Sequence, residues 1–123
     1  MPSRERILAL VAMVEQAKYV EAIEEFYAEN ATMQENSDPP RGGREVLVAG
    51  ERKMLAAHRE ARTLPGSSFF LDGDGVVIHW TFEFTRLDGK RFRMEELALQ
   101  RWQGERIVAE RFFYDTEQRR RFL

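Results

Sequence analysis

The stretch GVVIHWTFEFTRLDGKRFRMEELALQRWQGERIVAERFFYD, residues 75–115, decides the fold of this chain. It contains three segments in which apolar and polar residues alternate, the pattern of β-strands, separated by two short breaks. The first break, Leu87 to Lys90, holds an Asp-Gly pair, which tolerates the positive φ of a tight hairpin turn. The second break is Gln103 to Glu105. The pattern predicts three consecutive strands that form one curved antiparallel sheet.

One face of these strands combines large apolar residues with three polar ones, and we expect it to line a pocket. Its members are Trp80, Phe82, Phe84, Met94, Ala98, Trp102 and Phe112, together with Glu96, Gln100 and Glu110. The opposite face also carries apolar residues, among them Leu97 and Leu99, while His79 lies there away from the pocket. We therefore expect the outer face to be partly buried in a homodimer contact.

The chain before residue 75 is predicted to form a helical cover for this sheet. Helical spacing of apolar residues predicts a first helix capped by Ser3, a second over 19–30 and a third over 44–61. Short strands are predicted over 31–35 and 67–71, and the loop over 36–43 is expected to border the mouth of a cavity. This order predicts an α+β fold in which the N-terminal helices pack inside a strongly curved, mostly antiparallel sheet.

Composition limits the chain to one domain. Its 123 residues are 43% hydrophobic, enough for one core, so we expect a single domain over 1–123. The net charge of −2 gives no general attraction to nucleic acid or to anionic membranes, and we expect neither as a partner. Residues 116–123 contain three consecutive arginines and are interpreted as a flexible basic tail.

The chain contains no cysteine, which rules out disulfides, thiol nucleophiles and thiolate metal sites. Its two histidines do not have the spacing of helical metal ligands, so we expect no metal. The chain has neither a glycine-rich phosphate loop after a strand nor a Gly-x-Ser-x-Gly motif, and we expect no cofactor. Charges interrupt the N-terminal apolar run, which is too short to span a membrane, and we expect a cytoplasmic protein.

Three stretches carry a resemblance to a known superfamily. They are IEEFYAENAT at 23–32, RGGREV at 41–46, and RIV at 106–108 followed by FYD at 113–115. With the order of elements, they resemble the cystatin-like cone of the nuclear transport factor 2-like superfamily, and within it the SnoaL-like polyketide cyclases and ketosteroid isomerase-like proteins. The resemblance implies a cone whose open end binds small apolar molecules, often ring-containing or polyketide-like. It also implies that function is to be sought in that cone.

The ketosteroid isomerase-like pattern further implies a carboxylate base on the strand after the second helix. Glu35 matches that position in this chain. The same pattern has an oxyanion-stabilising tyrosine on the first helix and a protonated aspartate on a later strand, where this chain holds Val11 and Ala98. The resemblance therefore does not imply ketosteroid isomerisation itself.

The residues suggest acid–base chemistry in the pocket. A carboxyl group in apolar surroundings has its pKa raised, and a second carboxylate nearby raises it further. Glu35 could remove a proton next to a substrate carbonyl, while Glu96, Gln100 or Tyr114 donates a hydrogen bond to the developing enolate oxygen. We also expect Met33 and His58 to contact the substrate.

Two alternatives stay open at this point. Glu96 and Glu110 could instead pair with Arg93, Arg101 or Arg111, as structural ion-pair networks do. The chain is then either a SnoaL-like enzyme that isomerises, cyclises or dehydrates an apolar substrate without a cofactor, or a noncatalytic binding or dimeric assembly module of the same fold.

Overall fold

The computed structural model describes all 123 residues. Three helices come from the first half of the chain: α1 (Arg4–Glu15), α2 (Tyr19–Phe26) and α3 (Arg44–Ala56). Two strands lie between α2 and α3: β1 (Tyr27–Glu35) and β2 (Arg41–Gly42). Five more follow α3: β3 (His58–Thr63), β4 (Ser68–Asp72), β5 (Gly75–Arg86), β6 (Arg91–Gln103) and β7 (Arg106–Phe113). A 3-10 helix, Thr116–Arg120, follows β7. None of the helices is long and apolar enough to cross a membrane.

The strands form one sheet in the order β2-β1-β7-β6-β5-β3, and β4 also pairs with β5. All pairs are antiparallel except β1 with β7. One edge of β5 is shared, since β4 pairs with residues 75–79 and β3 with residues 82–86. The architecture is the α+β cone expected from the sequence, with the helices packed on the concave face of a strongly curved sheet.

The predicted central hairpin is confirmed. Residues of β5 and β6 pair without interruption from Gly75↔Arg101 to Thr85↔Arg91. The connecting turn uses Gly89 at φ +88, a conformation that favours glycine, while Asp88 accepts a hydrogen bond from the Lys90 amide. This register places alternate β5 and β6 residues under the helices, because side chains alternate between the faces of a strand.

A β-bulge alters the predicted face of β7. Pairing between β6 and β7 shifts between Arg101 and Trp102, so that Ile107 lies opposite Trp102 and Glu110 lies opposite Gln100. Ile107 is fully buried, although simple alternation from Glu110 assigns it to the outer face. The extra residue of a bulge changes the side-chain parity, which a strict period of two cannot anticipate.

Two predicted helices end earlier than expected. α2 ends at Phe26 rather than near residue 30, because Tyr27 adopts an extended backbone and pairs with Ile107 of β7. α3 ends at Ala56 rather than Ala61, because His58 and the residues after it form β3 along the edge of β5. In both cases sheet hydrogen bonds to a distant strand override local helical preference.

The C-terminal residues differ from the free basic tail expected over 116–123. The Asp115 side chain caps the 3-10 helix, and Gln118 makes two hydrogen bonds to the backbone of Glu95 in β6. Phe122 then forms an isolated bridge with Phe92, and the Leu123 amide donates to the carbonyl of Arg91. The segment thereby covers the part of β6 that extends beyond β7.

Candidate active site in the cone

A cavity of about 440 Å³ lies between the helices and the concave face of the sheet. Twelve of the fourteen residues proposed from the sequence line it: Glu35, Glu96, Gln100, Tyr114, Met33, His58, Trp80, Phe82, Phe84, Met94, Glu110 and Phe112. Ala98 and Trp102 do not line it. Both share the face, but they are fully buried in the core beneath the helices. The alternation pattern therefore identifies the correct face but not how far the open cavity extends along it.

The wall of the cavity is aromatic on the β5–β6 side. The rings of Phe84 and Phe92 stack with centroids 5.2 Å apart, and His58 lies 5.1 Å from Phe84. His58 Nδ1 is also 2.9 Å from the carbonyl oxygen of Met54, in the last turn of α3. That contact holds the His58 ring in place against the aromatic wall of the cavity.

Glu96 projects into the cavity from β6 without any partner. Its carboxyl group makes no hydrogen bond or ion pair in the structure, and its neighbour across the β5–β6 pair is Trp80. Burial, followed by the nearby carboxylates of Glu35, Glu110 and Glu51, raises the pKa of Glu96 to about 8. Arg93, proposed as an alternative partner, pairs instead with Glu83 on the outer face. A pKa of about 8 makes the neutral form, which can donate a hydrogen bond, the major form of Glu96 at pH 7.

Glu35 lies at the end of β1 and is the paired carboxylate of the cavity. Its Oε2 atom is 2.8 Å from a guanidinium nitrogen of Arg41, and the side chain is 32% exposed. Burial raises the pKa of Glu35, while Arg41 and then Arg119 act in the opposite direction. Arg41 belongs to the segment 36–43 expected to border the cavity. The ion pair favours the charged form, so Glu35 and Glu96 differ in their environments.

Glu110 is the most deeply buried of the cavity carboxylates, with 3% exposure. The Tyr27 hydroxyl donates to one of its oxygens, and Gln100 Nε2 lies 2.6 Å from the other. Trp102 Nε1 in turn donates to Gln100 Oε1. No arginine takes part. Burial raises the pKa of Glu110 to about 7, although the bonds from Tyr27 and Gln100 oppose this.

This network changes the expected role of Gln100. Its amide oxygen and one amide hydrogen are already used by Trp102 and Glu110. Only one N–H of the Gln100 amide is left to donate to a substrate oxygen, so Gln100 is better suited to hold Glu110 in place than to stabilise an enolate.

Glu51, on α3, is a cavity residue that the sequence interpretation missed. It makes no hydrogen bond or ion pair, and burial followed by repulsion from Glu35 raises its pKa to about 7. The signal was present in the helical spacing, since Glu51 lies four residues after Leu47 and three before Met54. Tyr19 and Tyr27 also line the cavity.

Tyr114 and Arg119 lie together in the cavity lining. An Arg119 guanidinium nitrogen donates to the Tyr114 hydroxyl at 3.3 Å, and the guanidinium carbon lies 5.6 Å from the ring centroid. Burial, followed by the charge of Glu35, raises the pKa of Tyr114, while Arg119 opposes the rise. Arg119 is another cavity residue that the sequence interpretation missed, because it belongs to the segment interpreted as a tail.

The sequence profile of the SnoaL-like domain family matches residues 7–110 of this chain. The chain belongs to the SnoaL-like domain family. This match spans α1 to β7 and includes the positions of Glu35, Glu51, Glu96 and Glu110. No curated protein sequence matches this SnoaL-like chain significantly.

Solved structures show the same fold at low sequence identity. A protein from Mesorhizobium loti thought to be a SnoaL-like polyketide cyclase is 21% identical, with a TM-score of 0.76, covering 93% of this chain and 100% of its own. One from Pseudomonas putida, thought to be a polyketide cyclase, is 15% identical with a TM-score of 0.82, covering 96% and 95%. A hypothetical protein from Catenulispora acidiphila with a ketosteroid isomerase-like fold, solved in complex with trimethylamine, is 18% identical with a TM-score of 0.78, covering 94% and 89%.

Proposed function

We propose that this SnoaL-like chain is a cofactor-independent acid–base enzyme that binds an apolar, ring-containing small molecule in the cone. The reaction would be an isomerisation, cyclisation or dehydration that passes through an enolate. The observation that carries the proposal is the carboxyl group of Glu96, which faces the aromatic cavity without a hydrogen-bond partner. A polar group left unpartnered in an apolar cavity costs stability, so it is typical of a functional site.

The two carboxyl groups have complementary roles in this proposal. Glu35, whose charged form is favoured by the ion pair with Arg41, removes a proton from the carbon next to a substrate carbonyl. The electron pair moves to the carbonyl oxygen, and neutral Glu96 donates a hydrogen bond to that oxygen, assisted by the Tyr114 hydroxyl. Protonated Glu35 then returns the proton to another carbon or to a leaving hydroxyl group. No electrons are gained or lost overall, so the reaction needs no oxidant or reductant.

The experiment uses a substrate that reports enolisation alone. We expect the protein to accelerate exchange of the α-protons of 2-tetralone in D₂O, followed by proton NMR. Glu35→Gln should abolish the acceleration, and Glu96→Gln, which keeps a donor but a weaker one, should reduce it by about tenfold to a hundredfold. Glu29→Gln on β1 and Glu95→Gln on β6 are exposed matched controls and should behave as the unmodified protein. Unchanged exchange in Glu35→Gln would sink the assignment of the base.

A second candidate function is a dimeric assembly or binding module, and the outer face of the sheet favours it. Leu97, Leu99 and Phe113 are 46%, 47% and 40% exposed on neighbouring strands. An apolar patch on one face of a sheet is typical of an interface between subunits. A homodimer through this face is compatible with the enzyme proposal as well, and both proposals include the cytoplasmic location expected from the sequence.

Light scattering after size exclusion tests the dimer. We expect twice the chain mass for the protein, and the chain mass for Leu99→Glu. Leu8→Glu is the matched control, since Leu8 is equally exposed, at 48%, but lies on α1. A monomeric unmodified protein would remove the outer-face interface from both proposals.

A further inference from the structure

Arg119 is the cavity cation that has no carboxylate partner. Two arginines line the cavity, and Arg41 is neutralised by its ion pair with Glu35. Arg119 forms no ion pair, and its only hydrogen bond is the one to Tyr114. A guanidinium has five N–H donors in a planar fork, so most donors of Arg119, whose side chain lines the cavity but is also exposed to solvent, have no protein partner.

The segment that carries Arg119 is held in place by hydrogen bonds to the backbone of β6. On one side, Gln118 takes the hydrogen bonds that a neighbouring strand would make to Glu95 of β6. On the other, Phe122 and Leu123 pair with the same edge of β6. Arg120 and Arg121 pair with Glu117 and Asp115 within the segment, which leaves them outside the cavity lining. The three consecutive arginines are therefore not equivalent.

We propose that the guanidinium group of Arg119 binds an anionic oxygen group of the ligand, such as a carboxylate, while the apolar body of the ligand fills the cavity. A planar guanidinium fork matches the two oxygens of a carboxylate. The ligand class is thus an apolar, ring-containing acid. This inference rests on the proposed function in one respect, since it takes the cone cavity as the ligand site.

The cavity carboxyl groups do not oppose such a ligand below neutral pH. Burial raises the pKa of Glu51 and of Glu110 to about 7 and that of Glu96 to about 8, so all three are largely neutral there. Glu35 is compensated by Arg41. Arg119 is then the charge that remains to be neutralised by the ligand.

The test compares 2-naphthoate with 2-naphthamide, two probes of similar shape that differ in charge, by fluorescence titration at about pH 6.5. We expect the unmodified protein to bind 2-naphthoate about tenfold more tightly, as one charge-assisted contact at a partly solvated site would give. Arg119→Gln should lose this preference without changing the affinity for 2-naphthamide. Arg119→Lys keeps the charge but not the fork and should retain part of it, whereas Arg120→Gln should retain all of it.

Equal affinities of the unmodified protein for the two probes would overturn the inference, and so would an undiminished preference in Arg119→Gln or an equal loss in Arg120→Gln. The proposed function fails on a different result, retention of 2-tetralone exchange in Glu35→Gln, whichever way the naphthoate titration falls. The two failures are therefore distinguishable.

Discussion

Replacing Glu96 by glutamine should stabilise the protein in alkaline solution and leave it almost unchanged in acid. The Glu96 carboxyl group has an ordinary pKa of 4.5 in the unfolded chain and a pKa of about 8 in the cavity. The folded state therefore binds more protons than the unfolded state between these values, and the free energy of unfolding falls as the pH rises through this range. Below pH 4.5 the carboxyl group is neutral in both the folded and the unfolded state, so no stability is lost there through its ionisation.

The magnitude follows from the same two values. A pKa displaced from 4.5 to about 8 corresponds to roughly 5 kcal/mol of stability lost by pH 9. This is an upper bound, because Glu96 titrates together with Glu35, Glu51 and Glu110 rather than independently, and because water can enter the cavity to solvate the charged form. We therefore expect ionisation of Glu96 to lower the free energy of unfolding by about 2 kcal/mol at pH 9.

The assay is urea denaturation followed by tryptophan fluorescence at pH 5, 7 and 9. Glutamine has the shape of neutral glutamic acid, so Glu96→Gln should differ by less than about 0.5 kcal/mol at pH 5 and gain about 2 kcal/mol at pH 9. Glu95→Gln is the control on the opposite face of the same strand, where the carboxylate is exposed and lies 3.2 Å from His79. A stability difference that is the same at pH 5 and pH 9 would refute the reasoning.

Three further predictions concern the groups around Glu96. Arg41→Gln removes the ion pair of Glu35, so the pKa of Glu35, measured by carboxyl carbon NMR, should rise further. The rate of 2-tetralone exchange should then increase with pH over a higher pH range than in the unmodified protein. An unchanged pKa of Glu35 would contradict this prediction. Tyr27→Phe takes a donor from buried Glu110 and should cost about 1–3 kcal/mol in urea denaturation, more at pH 8 than at pH 5, whereas a loss independent of pH would point to packing alone. Gln118→Ala removes the cap on β6, and should cost about 1 kcal/mol and speed hydrogen exchange at the Glu95 amide. Gln103→Ala, at the exposed C-terminal end of β6, is the control.

The sequence predicts the fold and the pocket face well because both depend on local patterns. The alternation over residues 75–103 and the Asp-Gly turn determine the β5–β6 register without reference to the rest of the chain. The end of α2 at Phe26 could not be predicted in the same way, because Tyr27 leaves the helix to pair with Ile107, eighty residues further along. Arg119 was missed for a similar reason, since three adjacent arginines look alike until the segment docks on β6.

Glu96, Gln100 and Glu110 share one face in the sequence, and their different roles follow from where β7 ends. Gln100 lies directly opposite Glu110 in the β6–β7 pair, so these two polar groups meet and satisfy each other. The last residue of β6 to pair with β7 is Leu97, opposite Phe113, and Glu96 lies one step beyond it. Its remaining cross-strand neighbour, Trp80, offers no acceptor. The end of the β6–β7 pairing at Phe113 therefore leaves Glu96 beyond the paired region, whereas Gln100 and Glu110 lie within it and bond to each other.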